Sequence, residues 1–251
     1  MRRSMDDETF ARLFSAQYAQ FEEDLRLWLH LARQAGGPIL EIGCGDGRVL
    51  RALAREGFEV TGIDTNPAML RRAGDGLPEA LRQRVRLVEQ DARFLELPDR
   101  YRLILAPCNT LASLPDTDLA QALTRLRRHL QAKGMLAFEV PGPEQASDEA
   151  DADEPLAAFL EPESGHPVQV YAAQRADPAN RRVDVTWRYD ELLPDGDVRS
   201  WSLPTIYHVR SSQDYHSLLE HAGFASVSFA GGYDLAPLSP DDSRTIVLAY
   251  T

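Results

Sequence analysis

Ile39-Leu40-Glu41-Ile42-Gly43-Cys44-Gly45-Asp46-Gly47-Arg48-Val49-Leu50 is the stretch whose reading decides the fold. Strand-favouring positions run straight into three alternate glycines. Val49, Leu50, Leu53 and Ala54 then recur at the spacing of one buried helix face. The segment reads as strand, tight loop and helix. Without a Cβ, glycine reaches positive φ and lets a ligand lie against bare backbone at a helix N-terminus. Two familiar nucleotide loops do not fit. The third glycine of the dinucleotide fingerprint would fall on Arg48 counted from Gly43, or on Leu50 counted from Gly45. The lysine and hydroxyl residue of a phosphate loop are replaced by Arg48-Val49.

Working outward, residues 6–33 place Phe10, Phe14, Phe21, Leu25, Trp28 and Leu29 at helical spacing, and Gly36-Gly37-Pro38 stops the segment. One or two amphipathic helices are expected there, their stripe read as core packing. Downstream, residues 58–63 form a second strand ending in Asp64, about twenty positions after the glycine loop, where a carboxylate can accept hydrogen bonds from vicinal ribose hydroxyls. The competing reading makes Asp64 a cap for the helix that opens at Asn66-Pro67. Residues 85–88, 101–106 and 135–140 supply further strands, and 116–130 an amphipathic helix closed by Lys133-Gly134. Alternating strands and helices over 38–140 predict a parallel sheet.

Glu41, Gly43, Gly45 and Gly47 resemble the first motif of the class I, Rossmann-like S-adenosylmethionine-dependent methyltransferases. Three later stretches fall in the family's order. Asp64 stands at its ribose position. Asp91-Ala92 resemble the pair that faces adenine, where a carboxylate accepts from an amino group but cannot donate to a keto oxygen; Asp91 could also simply begin a turn. Pro107-Cys108-Asn109 resembles the fourth motif of small-molecule methyltransferases and lacks the proline pair and aromatic residue of the nucleic-acid amino methyltransferases. No aspartate stands there for a catechol-type magnesium ion, so no metal is indicated. The resemblance covers 38–140 and 211–250, and is strongest to enzymes that alkylate amino sugars or glycine. It implies an α/β fold with a doubly wound, mostly parallel seven-stranded sheet, its last strand inserted antiparallel. It also implies S-adenosyl-L-methionine as cofactor, bound by Tyr18, Glu41, Gly43, Cys44, Gly45, Asp64, Thr65, Met69, Asp91, Ala92, Pro107 and Asn109.

Two insertions complete the plan. Residues 141–167 hold eight acidic residues, among them Glu144, Asp151, Glu161 and Glu163, and no Lys or Arg, which reads as a solvated loop. Runs at 168–175, 182–192 and 198–210 are joined by turn sequences and read as an antiparallel meander. The expected domains are an N-terminal helical lid (1–37), a cofactor-binding core (38–140 and 211–251), and an acidic loop with a β cap (141–210). Ser211 to Asp214 carries an N-terminal capping signal for a late helix, and residues 224–229 and 245–250 the last two strands.

The chain has 251 residues, and a formal net charge of −12 argues against a nucleic-acid partner. No apolar run approaches the ~20 residues of a membrane span, and the start of the chain lacks a secretory pattern, so a cytoplasmic protein is expected. Two cysteines, Cys44 and Cys108, form neither a disulfide framework nor a metal spacing. The expected partner is a small-molecule methyl acceptor, methylated on N or O by in-line displacement; a homodimer is left open. Such chemistry requires no nucleophilic side chain, and His208 and Glu139 are the candidate bases. The alternatives are a protein or RNA methyltransferase and a non-catalytic S-adenosylmethionine-binding module.

Overall fold

The computed structural model describes residues 3–142 and 154–251, so the centre of the acidic stretch, 143–153, lies outside the described residues. Strand β1 (Arg3–Ser4) and helices α1 (Asp7–Tyr18) and α2 (Leu25–Ala35) precede β2 (Ile39–Ile42), α3 (Arg48–Arg55), β3 (Val60–Asp64) and α4 (Pro67–Asp75). Then come β4 (Val85–Glu89), β5 (Tyr101–Ala106), α5 (Asp116–His129) and β6 (Leu130–Pro141). Four strands follow, β7 (Ala157–Leu160), β8 (Pro167–Asp177), β9 (Arg182–Leu192) and β10 (Val198–His208). The chain ends with α6 (Ser212–His221), β11 (Ser226–Ala230) and β12 (Arg244–Tyr250).

Seven strands form one sheet in the order β11-β12-β6-β5-β2-β3-β4. The pairs from β6 to β4 are parallel, and β12 enters antiparallel to both β6 and β11. Both faces are covered, which is why the central strands are apolar without alternation. Leu40, Ile42, Ile104 and Ala106 pack with Leu119, Leu123 and Leu126 of α5 and with Leu219 of α6. Their neighbours Ile39, Leu103 and Leu105 face Trp28 and Leu31 of α2 and Leu50 and Leu53 of α3. Helix α2 is therefore a layer of the core sandwich, and α1 alone lies outside it.

The second sheet has the order β1-β10-β9-β8-β7, with β8, β9 and β10 forming the expected meander. Helix α1 is fastened to it. Leu13 is buried among Val168, Val170, Tyr189 and Trp201. Arg12 pairs with Glu161 at 2.9 Å, and the Tyr189 hydroxyl donates to Gln17 Oε1 at 2.5 Å. Its other side packs Ala11 against Ala68 and Met69 of α4.

Two boundaries differ from the sequence reading. Residues 157–160, placed within the acidic loop, form β7 because they find an edge to pair with on β8, a partner no local pattern announces. Helix α5 ends at His129, and Lys133-Gly134 instead make an irregularity inside β6, with Lys133 at φ 60° and a register shift against β5.

The join between α2 and the glycine loop is ionic and buried. Arg48 at the start of α3 meets both carboxylate oxygens of Asp24, at 2.6 and 2.7 Å, and donates to the Phe21 carbonyl at 2.9 Å. Trp28 Nε1 donates to the same carboxylate at 2.9 Å. The Asp24 side chain is wholly buried. Removing one partner of such a pair strands the other charge, so Asp24→Ala is expected to lower the unfolding free energy by about 3–5 kcal/mol in urea denaturation. Arg33→Ala, which breaks the exposed Arg33–Glu56 pair, is expected to cost at most about 1 kcal/mol.

Candidate active site

The strand order reverses between β2 and β5, and loops leaving their carboxyl ends diverge there. A cavity of about 400 Å³ opens at that point. Its floor is the glycine loop. Gly43 has φ +65°, and a Cβ on it would stand 2.6 Å from Thr110 Cγ2, so only glycine fits. At Gly45, φ +54°, a Cβ would meet nothing within 4 Å, which leaves open space over bare backbone.

The loop is held by Asp64. Its carboxylate accepts from the Gly45 amide at 2.8 Å and from the Asn66 amide at 2.9 Å. The cap of α4 is Asn66, whose side chain accepts from Ala68 and Met69 amides. Burial pushes the Asp64 carboxyl above its ordinary range, against the pull of those amides. Glu41, one strand away, is 2 % exposed, and its Oε2 has no hydrogen-bond partner. Burial raises its pKa well above the usual glutamate value, and nearby Arg48 only partly opposes this. Asp91 caps a short 3₁₀ turn at Ala92–Phe94 by accepting from the Arg93 amide, and the Arg93 guanidinium holds its pKa down.

Tyr18, Glu41, Gly43, Cys44, Gly45, Asp64, Thr65, Met69, Asp91, Ala92 and Pro107 all line this cavity. Asn109 does not. Cys108 and Asn109 are both left-handed, with φ 56° and 59°, and the turn they make carries Asn109 into the wall of a second cavity. Phe10 and Phe14, read from sequence as core stripe, line both cavities. Their spacing four residues apart on α1 continues to Tyr18, with ring centroids 5.2 and 4.5 Å apart, and that run next to a glycine loop was the available signal.

The second cavity, about 560 Å³, lies between the sheet edge and the β8–β10 meander. Aromatic rings dominate it, among them Phe21, Trp187, Tyr189, Tyr207 and Tyr233. Glu139 of β6 is its buried carboxylate, accepting from the Tyr233 hydroxyl at 3.0 Å and the Cys108 amide at 3.2 Å. Burial raises its pKa, partly offset by those bonds and by Arg244. His208 lines neither cavity. It sits in a third, with Arg210 and Tyr215, whose wall also includes Tyr207. Among the described residues, no cluster of His, Cys, Asp and Glu could hold a metal ion, and no helix is long and apolar enough to cross a membrane.

Residues 39–134 match the family described as a methyltransferase domain. The glycine loop, Asp64 and Asp91 all fall within that methyltransferase-like segment. A Geobacillus sp. (strain WCH70) protein named as a methyltransferase is 32% identical over 109 residues, 43% of this chain and 44% of the relative. The chain thus spans about half the length of the first curated relatives it matches. A trans-aconitate 2-methyltransferase of Afipia carboxidovorans is 28% identical over 249 residues, 94% of this chain and 86% of the relative. The same methyltransferase fold is seen in the S-adenosylmethionine-bound amino pentose methyltransferase of calicheamicin biosynthesis from Micromonospora echinaspora. That structure superposes with a TM-score of 0.74 at 20% identity, covering 95% of this chain and 97% of that one.

A carboxyl with a raised folded pKa weakens the fold as pH rises from the unfolded pKa towards the folded one. Glu41→Gln removes that penalty in the ligand-free methyltransferase domain. The variant should gain on the order of 1 kcal/mol at neutral pH, and the gain should vanish as pH falls below about 4.3, where glutamate is neutral in both states. Chemical denaturation across that range checks both ends.

Proposed function

We propose that the chain transfers a methyl group from S-adenosylmethionine to a nitrogen atom of a small molecule held in the 560 Å³ cavity. The observation that carries this reading is that the two cavities share the walls Phe10, Phe14, Tyr18 and Cys108, so that a donor over the glycine loop and an acceptor beside Glu139 would meet there.

The residues suit the cofactor. Glu41, buried in the wall of the first cavity, brings a carboxylate to the end where an α-ammonium group would lie. Asp64 spends one bond on each oxygen and keeps further lone pairs for ribose hydroxyls. The open backbone at Gly45 admits the amino-acid end, Asp91 and Ala92 the adenine, while Met69 and Phe14 add apolar wall. When bound, the cofactor supplies a methyl carbon activated by a sulfonium. The protein's part is alignment and exclusion of water, which together can account for roughly 7–11 kcal/mol of a barrier.

Glu139 is favoured over His208 as the base because Glu139 faces the acceptor cavity and His208 does not. Its raised pKa suits it to take the proton an amine must lose before or during attack. The aromatic surroundings suit an amine as well, since ring faces attract cations. In this reading residues 38–140 and 211–251 hold the cofactor, α1 within 1–37 forms the lid, and the meander within 141–210 closes the acceptor cavity.

Calorimetry with S-adenosylmethionine and with NAD, followed by turnover to S-adenosylhomocysteine on a panel of small amines and alcohols, tests the proposal. Saturable binding of S-adenosylmethionine alone and methylation of an amine are expected, and Asp64→Ala should abolish binding. Glu139→Gln should lower kcat by about 10²–10⁴ with cofactor affinity retained, and His208→Ala should leave kcat near wild type. Binding of NAD instead, or an unchanged kcat in Glu139→Gln, would sink it.

A further inference from the structure

Among the described residues that line the aromatic cavity of about 560 Å³ there is one carboxylate, Glu139, and one guanidinium, Arg244. The core sheet sets them side by side. Arg244, the first residue of β12, is registered against Pro141 of β6, and Glu139 precedes Pro141 by two places, so both side chains leave the same face of neighbouring strands. Arg244 Nε stands 4.0 Å from Glu139 Oε1, near enough for attraction and too far for a hydrogen bond. Tyr233 braces the two. Its hydroxyl donates to Glu139 at 3.0 Å, and its ring lies 4.2 Å from the guanidinium.

Both charged groups stay open to a guest. The Arg244 side chain is 31% exposed, and among the described residues its guanidinium makes no hydrogen bond. Each Glu139 oxygen accepts one bond, from the Tyr233 hydroxyl or the Cys108 amide, and keeps a lone pair. Opposite charges that neighbour one another in a wall select a guest whose own opposite charges are neighbours.

We propose that the acceptor is an α-amino acid with a large apolar side chain, its carboxylate on Arg244, its nitrogen on Glu139 and its side chain among Phe21, Trp187 and Tyr207. This rests on the methyl-transfer reading and adds to it the class of acceptor. An α-amino acid carries an ammonium and a carboxylate on one carbon, and a guanidinium meets a carboxylate through two parallel N–H bonds. A phosphate or diphosphate ester suits the place less. Its second negative charge would face Glu139 with no further cation among the described lining residues. Glycine would make both ionic contacts and leave the rings without an apolar partner.

L-Phenylalanine, phenethylamine, 3-phenylpropanoate and glycine, titrated calorimetrically into the chain saturated with S-adenosylhomocysteine, provide the test. Phenylalanine should bind saturably, and the other three at least about tenfold more weakly. That comparison needs no variant. Arg244→Gln, its folding checked by near-UV circular dichroism, should weaken phenylalanine at least about tenfold and leave phenethylamine bound as before or more tightly, while Arg244→Lys recovers part of the loss. A merely damaged cavity would weaken both ligands. Absence of phenylalanine binding, equal affinity for phenethylamine or glycine, or an equal loss for phenylalanine and phenethylamine in a folded Arg244→Gln overturns the assignment. With S-adenosylmethionine supplied instead, turnover of phenethylamine but not of phenylalanine also overturns it and leaves methyl transfer standing. Arg244-dependent binding of phenylalanine without product supports the amino-acid site and sinks the transfer.

Discussion

The reversal of strand order between β2 and β5 is the constraint from which the rest of the molecule follows. Parallel strands that send their chains to opposite faces leave a gap at their carboxyl ends, and no side chain on either strand can fill it. The gap is floored by backbone because Gly43 has no room for a Cβ beside Thr110. It is held in shape by one carboxylate, Asp64, which gathers amides from the loop after β2 and the turn after β3. A four-residue strand and a pair of hydrogen bonds thus fix where a cavity of about 400 Å³ must lie.

That cavity is expensive to maintain. Glu41, Asp64 and Glu139 are all carboxyls whose burial raises their pKa, so each ionises against the preference of its surroundings. Stability is supplied elsewhere. Both faces of the sheet are sealed by helices, and Asp24 with Arg48 pins α2 to the start of α3, just behind the loop. The arrangement separates a rigid, well-packed frame from a small group of buried carboxyls whose ionisation that burial disfavours.

The core sheet was legible because its signals are local: apolar runs for two-sided burial, glycines for the loop, Asn66 and Ser211 for helix starts. Even the lone Asp64, twenty-one places beyond Gly43, was readable through its position at a strand end. What escaped was set by partners distant in the chain. Residues 157–160 become a strand only against β8, and Asn109 turns away from the first cavity because two successive residues take left-handed backbone. Phe10 and Phe14 carry the periodicity of ordinary core residues, and nothing in that periodicity distinguishes packing against protein from lining a cavity. His208 lines a different cavity for a related reason, since where the end of β10 comes to lie depends on its pairing with β9.

Among the described residues, helix α1 borders both large cavities while standing outside the sandwich, and it is bolted to the second sheet through Arg12, on Glu161 just beyond β7, and Gln17, on Tyr189 of β9. Two occupants on opposite sides of Phe10, Phe14 and Tyr18 would press on the same three rings. Any coupling between them would be reciprocal, each affinity altered by the other through an equal factor. A single row of rings, one helical turn apart, is therefore wall to both cavities at once, so that a change of side chain on α1 reshapes the two together.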